Sequence, residues 1–132
     1  MKTYKKGQEI IAIVYRDDEW PEGLNFFTPD NLFLQAGSWV YGEGKKLSPH
    51  THRLYERTVN RTQELVYVKQ GSLKVTLFDE GKEFNAEFVL EEGDLAVLAN
   101  GGHGYEVMED STCVLEVKNG PYIDVTTDKE VF

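Results

Sequence analysis

The chain has 132 residues, 14 Lys or Arg against 23 Asp or Glu, a net charge of −9 and a single cysteine. That length suits one domain over residues 1–132, large enough to bury its own core. The acidic balance argues against nucleic acid as a partner, since backbone binding needs a basic face. One cysteine cannot form an intrachain disulfide, no charged-then-apolar leader opens the chain, and no apolar run nears the roughly 20 residues of a membrane helix. The expected setting is a reducing cytoplasm, away from membranes.

In chain order, residues 9–15 (EIIAIVY) are β-branched and aromatic, which predicts a first strand. Pro21, Gly23 and Pro29 then break regular structure through a turn-rich stretch. Residues 31–46 predict a strand bulged at Gly37 and ended by Gly42 and Gly44. After a polar, arginine-rich segment, residues 62–68 alternate, with Glu64, Val66 and Val68 on one face and Leu65 and Tyr67 on the other. Gln70-Gly71 turns into a strand whose apolar face is Leu73, Val75 and Leu77. Strands follow near 84–90, over residues 94–99, from His103 to Met108 and from Thr112 to Lys118, divided by Glu80-Gly81, Glu92-Gly93 and Asn100-Gly101-Gly102. About eight short strands at this spacing, with no helical periodicity, predict an all-β antiparallel sandwich or barrel. Segments 65–68 and 95–98 are apolar on both faces, so something other than solvent covers one sheet face. A homodimer or the N-terminal segment would do so, and the homodimer is the expectation carried forward.

Two of the three histidines stand one residue apart, His50 and His52; the third, His103, follows Gly101-Gly102. On an extended chain residues i and i+2 point the same way with Cα atoms roughly 6.6 Å apart, close enough for two imidazoles to share one metal. Glu64 shares the parity of Val66 and Val68, where an unpaired carboxylate is costly. A cation or hydrogen-bond donors must meet it there. Three of the four arginines, Arg53, Arg57 and Arg61, fall between the H-x-H pair and Glu64. They are either a solvated loop or a clamp for a carboxylate or phosphate. Strand parity turns Arg61 away from Glu64 and leaves Arg53 and Arg57 as the clamp candidates. Tyr105 shares His103's parity and is either a wall aromatic or a donor to a bound ligand. Glu116 and Lys118 read as a solvated pair, and Cys113, on the parity of Leu115 and Val117, as a small buried hydrophobe.

These residues resemble the cupin superfamily. Its first motif sets H-x-H before a Glu, six residues and a Gly; Glu64, LVYVKQ and Gly71 match the second half and His50-Thr51-His52 the first. Eleven residues separate His52 from Glu64, so the loop is extended, and the insertion holds the arginines. Glu56 stands at the family spacing from His52, but Gln63 occupies the glycine position that it would require. The second motif fits loosely over Gly93–His103: Ala99 replaces its proline, the histidine comes one residue early, and Val107 replaces its asparagine. The resemblance spans roughly residues 35–118. It implies a small β-barrel or jelly roll of the single-domain bacterial kind, with a divalent transition metal (Fe, Mn, Ni, Co, Cu or Zn) on His50, His52, Glu64 and His103. Arg53, Arg57 and Tyr105 are the expected substrate contacts.

Three functions compete. One is a metal-dependent enzyme acting on a small anionic or sugar-derived molecule, through oxygen activation or isomerisation. The second is a non-catalytic ligand-binding or regulatory cupin with a structural metal. The third is a metal-free isomerase with a histidine as general base.

Overall fold

The computed structural model describes residues 1–132. Ten strands form in order: β1 (Lys2–Lys6), β2 (Glu9–Tyr15), β3 (Gly23–Phe26), β4 (Gly37–Val40), β5 (Glu64–Gln70), β6 (Leu73–Phe78), β7 (Phe84–Leu90), β8 (Leu95–Leu98), β9 (Gly102–Val107) and β10 (Cys113–Lys118). Helix is confined to a 3-10 turn at Asp17–Glu19 and one α-turn, α1 (Val125–Asp128). No helix is long and apolar enough to cross a membrane. All strand pairs are antiparallel, so the protein is all-β.

The strands make a five-stranded sheet ordered β1-β2-β8-β5-β10, a three-stranded sheet ordered β7-β6-β9 and a separate β3-β4 ribbon. The main core lies between the two larger sheets: Val66 and Val68 of β5 and Leu98 of β8 meet Leu73, Val75 and Leu77 of β6. Each such side chain contributes roughly 1.5–3 kcal/mol by leaving water. Alternation along β5 and β6 puts every second residue into this layer. The turn between them places Gly71 at φ +78°, where a side chain would be strained and would also strike Thr112.

The opposite face of the five-stranded sheet carries a second cluster. Ile13, Tyr15, Leu95 and Val97 pack against Leu32 and Ala36 from the segment before β4. That segment covers most of the face whose apolar character motivates the homodimer expectation. Leu115 and Val117 on β10 stay exposed.

Several expectations need correction. The two sheets do not close into a barrel: β9 pairs only with β6 and β10 only with β5. Polar side chains from β5, β9 and β10 occupy the gap where a closing ladder would run. Residues 31–36 are irregular, and only Gly37–Val40 of the predicted second strand forms. The turn-rich stretch contains β3, which exists by pairing with β4 (Leu24 opposite Trp39). β1 is a lysine-rich edge strand held by its ladder to β2, with Tyr4 stacked on Phe88 at 4.9 Å. Cys113 is exposed, since the β5–β10 register shifts between Cys113 and Val114.

Candidate functional site

Where β9 and β10 fail to meet, the sandwich opens into a cleft of about 1490 Å³. Its floor follows from strand register. Glu64 opens β5 on the core-facing side, in line with Val66 and Val68, and is only 4% exposed. Lys118 of β10 lies directly opposite Glu64 in the β5–β10 pair. From the other sheet, His103 and Tyr105 of β9 stand opposite Leu77 and Val75 of β6. Both rings therefore face inward, 5.1 Å apart.

These four side chains converge. The Tyr105 hydroxyl donates to Glu64 Oε1 at 2.5 Å, and Lys118 Nζ lies 3.2 Å from Glu64 Oε2. His103 Nε2 is 3.7 Å from Glu64 Oε1, facing the carboxylate but beyond hydrogen-bond range. Glu116 Oε1 takes a further contact from Lys118 at 2.8 Å. The buried carboxylate is thus met from both sheets, by a neutral donor and by a cation, as its parity with the valines requires.

The same arrangement sets the protonation states. Burial pushes the His103 pKa down; Glu64 opposes this and Lys118 adds to it, so the imidazole is neutral at physiological pH. Burial and the hydrogen bond to Glu64 push the Tyr105 phenol up, which keeps it a donor. Hydrogen bonds to Glu116 and Glu64 raise Lys118, which keeps it an ammonium.

Of the residues expected at a metal, Glu64 and His103 are brought together and His50 and His52 are not. The two loop histidines do lie side by side, with ring centroids 5.3 Å apart and His50 Nδ1 3.0 Å from Ser48 O. But residues 45–60 form no regular structure and are exposed, with no strand to pair with. No group of three or more His, Cys, Asp or Glu side chains comes together to hold an ion. Lys118 also occupies the Glu64 oxygen that a cation would need. As arranged, the donor set does not fit a metal.

The arginines divide. Arg53 lies outside the cleft, whereas Arg57 reaches its margin with its guanidinium 5.2 Å from the Tyr55 ring. Arg61 also lines the cleft, contrary to its parity, because residues 45–63 are not strand. It bonds Asn100 Oδ1 at 2.6 Å and the Glu80 carboxylate, which leaves it largely neutralised. Lys118 forms the expected pair with Glu116, but it also lines the cleft and meets Glu64, which the sequence reading does not anticipate. The alternation Val114, Glu116, Lys118 marks it as sharing a face with Val114, but only the pairing of β10 with β5 brings it to Glu64.

No family model matches the chain, and no curated protein or solved structure matches it.

Proposed function

We propose that the cleft binds a small polar molecule, anionic or sugar-derived, and that the protein is an open, cupin-like variant of a jelly roll. The observation that carries this reading is Glu64: a nearly buried carboxylate gripped by Tyr105 at 2.5 Å and Lys118 at 3.2 Å on the wall of an open cleft. Apolar residues would pack that position at no desolvation cost, so such a group is better explained by a ligand than by stability. Lys118, shared between the Glu64 and Glu116 carboxylates, supplies a charged N–H donor for a polar group of the ligand. His103, neutral beside Glu64, supplies a base for a proton on a ligand carbon or hydroxyl, as proton-transfer isomerisation needs. The third N–H of Lys118, beyond those facing Glu64 and Glu116, can donate to a developing oxyanion.

A second reading, a divalent transition metal on His50, His52, Glu64 and His103, is favoured by one observation. Arg57, Asn60 and Thr62, from the segment that follows the histidine pair, already line the cleft. Calorimetric titration of untagged protein with small carboxylates and sugar phosphates, together with elemental analysis, separates the two. Saturable anion binding that Lys118→Met weakens at least tenfold, in protein free of stoichiometric metal, supports the first. Stoichiometric metal that Glu64→Gln removes would replace it with the second.

A further inference from the structure

Every residue from 42 to 62 is exposed, and no backbone hydrogen bond joins residues 46–60 to the two sheets. A connection this long without structure of its own serves a function or is a solvated linker. Its composition is not that of a linker, because Leu47, Leu54, Tyr55 and Val59 all stand in water, Leu54 completely. Its charge also differs from the body's. Residues 45–60 hold four of the 14 cations but only one of the 23 carboxylates, so the rest of the chain is strongly acidic. None of Lys45, Lys46, Arg53 and Arg57 forms an ion pair. Lys45 and Arg57 only lie over the rings of Tyr41 and Tyr55, their neighbours in sequence.

A surface with the complementary character lies on β10, the edge strand of the five-stranded sheet. On its outer face Leu115 and Val117 are exposed, opposite Tyr67 and Leu65 of β5. They are the part of that face which Leu32 and Ala36 leave bare. The exposed carboxylates Glu109 and Asp110 stand in the loop that leads into β10. The segment 45–60 rejoins the body beside this strand: Gln63 N donates to Asn119 Oδ1 at 2.6 Å and Asn119 Nδ2 to Arg61 O at 3.0 Å.

We propose that residues 45–60 are an arm that embraces a second copy of this chain. Leu54 lies against Leu115 and Val117 of the partner subunit, and the arm's cations face the partner's acidic body. A basic, apolar arm and an acidic body with an apolar stripe are present on every copy, which is the self-complementarity that a two-fold dimer needs. Because the arm is rooted beside β10, two copies facing across β10 bring each arm to the other's stripe. The attraction between arm and body makes the association salt-dependent.

The test is sedimentation velocity of the full-length chain over a hundredfold range of concentration, at low and at high salt. The protein should dimerise reversibly, and more weakly in high salt. Leu54→Asp, Leu115→Glu and the pair Arg53→Glu with Arg57→Glu should each raise the dimer dissociation constant at least tenfold, with circular dichroism showing that the sheets persist. A cross-link locates the arm. Chains carrying Leu54→Cys with Cys113→Ser, mixed with wild-type chains and a short bis-maleimide, should join the introduced thiol to Cys113 of the other chain. A monomer at every concentration overturns the proposal and leaves the arm to a different acidic partner. So does a dimer that no arm substitution weakens. A link formed only within one chain, in the single variant Leu54→Cys, would mean that the arm folds onto its own sheet and would overturn it as well. These outcomes are independent of what the cleft binds, which the calorimetry measures separately.

Discussion

If Glu64, Lys118 and Tyr105 act as one buried unit, a double-mutant cycle across the β5–β10 pair should reveal it. Glu64→Gln keeps the shape and one acceptor oxygen but removes the charge. Hydrogen bonds to a charged partner are worth about 1.5–3 kcal/mol; Tyr105 is 39% exposed, which favours the low end for its share. Lys118 is 23% exposed on its side chain, so its attraction to Glu64 at 3.2 Å is only partly screened. Together these give a loss of about 2 kcal/mol for Glu64→Gln. Lys118→Met leaves the carboxylate buried with Tyr105 as its remaining donor and should cost ~2 kcal/mol as well, below the 3–5 of a fully abandoned buried charge. In the double variant the amide still accepts from Tyr105 and no charge is stranded. The combined loss should again be about 2 kcal/mol, a coupling of about 2 kcal/mol where independent sites would add. Urea unfolding monitored by tryptophan fluorescence measures all four corners of the cycle. A coupling under about 0.5 kcal/mol would refute the claim that these groups form one unit and weaken the case for a built site.

Two further outcomes follow from particular side chains. Asp79 accepts from Glu83 N at 3.0 Å and Gly81 N at 2.9 Å and faces Lys6 Nζ at 3.1 Å, which hold its pKa below the ordinary 3.8. The unfolded chain takes up that proton first as the pH falls, so the contribution is intact above about pH 4 and lost as the pH drops through the folded value. Asp79→Asn should flatten the acid limb of the stability curve below pH 4 and leave its slope near neutrality unchanged. Cys113, exposed beside the β-bulge, should react with Ellman's reagent in the native protein within a few-fold of its rate in urea; a thiol that reacts only on unfolding would contradict its placement.

β-Branched and aromatic runs between turn glycines located the strands that pack on both sides. Residues 9–15 and 84–90 became β2 and β7 at those bounds, and the Gln70-Gly71 turn joins β5 to β6. The elements that were missed lack that signal. β1 is lysine-rich and buries little beyond Tyr4, and β3 leaves Leu24 and Phe26 exposed, so cross-strand hydrogen bonds stabilise both more than any apolar face. Barrel closure is likewise a property of strand neighbours. Nothing in β9 or β10 alone states that they will not pair.

The site divides along the same line. Glu64 was legible because its parity with Val66 and Val68 buries it, and a buried carboxylate must be answered. His103 and Tyr105 were legible as a pair because two residues on one strand face share a direction. What answers Glu64 was not legible, because the answer is a cross-strand contact with a residue 54 positions later, and such contacts are decided by sheet order. His50 and His52 show the converse. Their local geometry was read correctly, and their rings do lie together, yet residues 45–60 form no ladder that would carry them to β5 or β9. A spacing rule specifies which side chains point the same way; only a hydrogen-bonded neighbour specifies what they point at. Lys118 has such a neighbour in Glu64 and the histidine pair has none, which is why the cleft is organised around an ammonium and a phenol, with His103 alone as its imidazole.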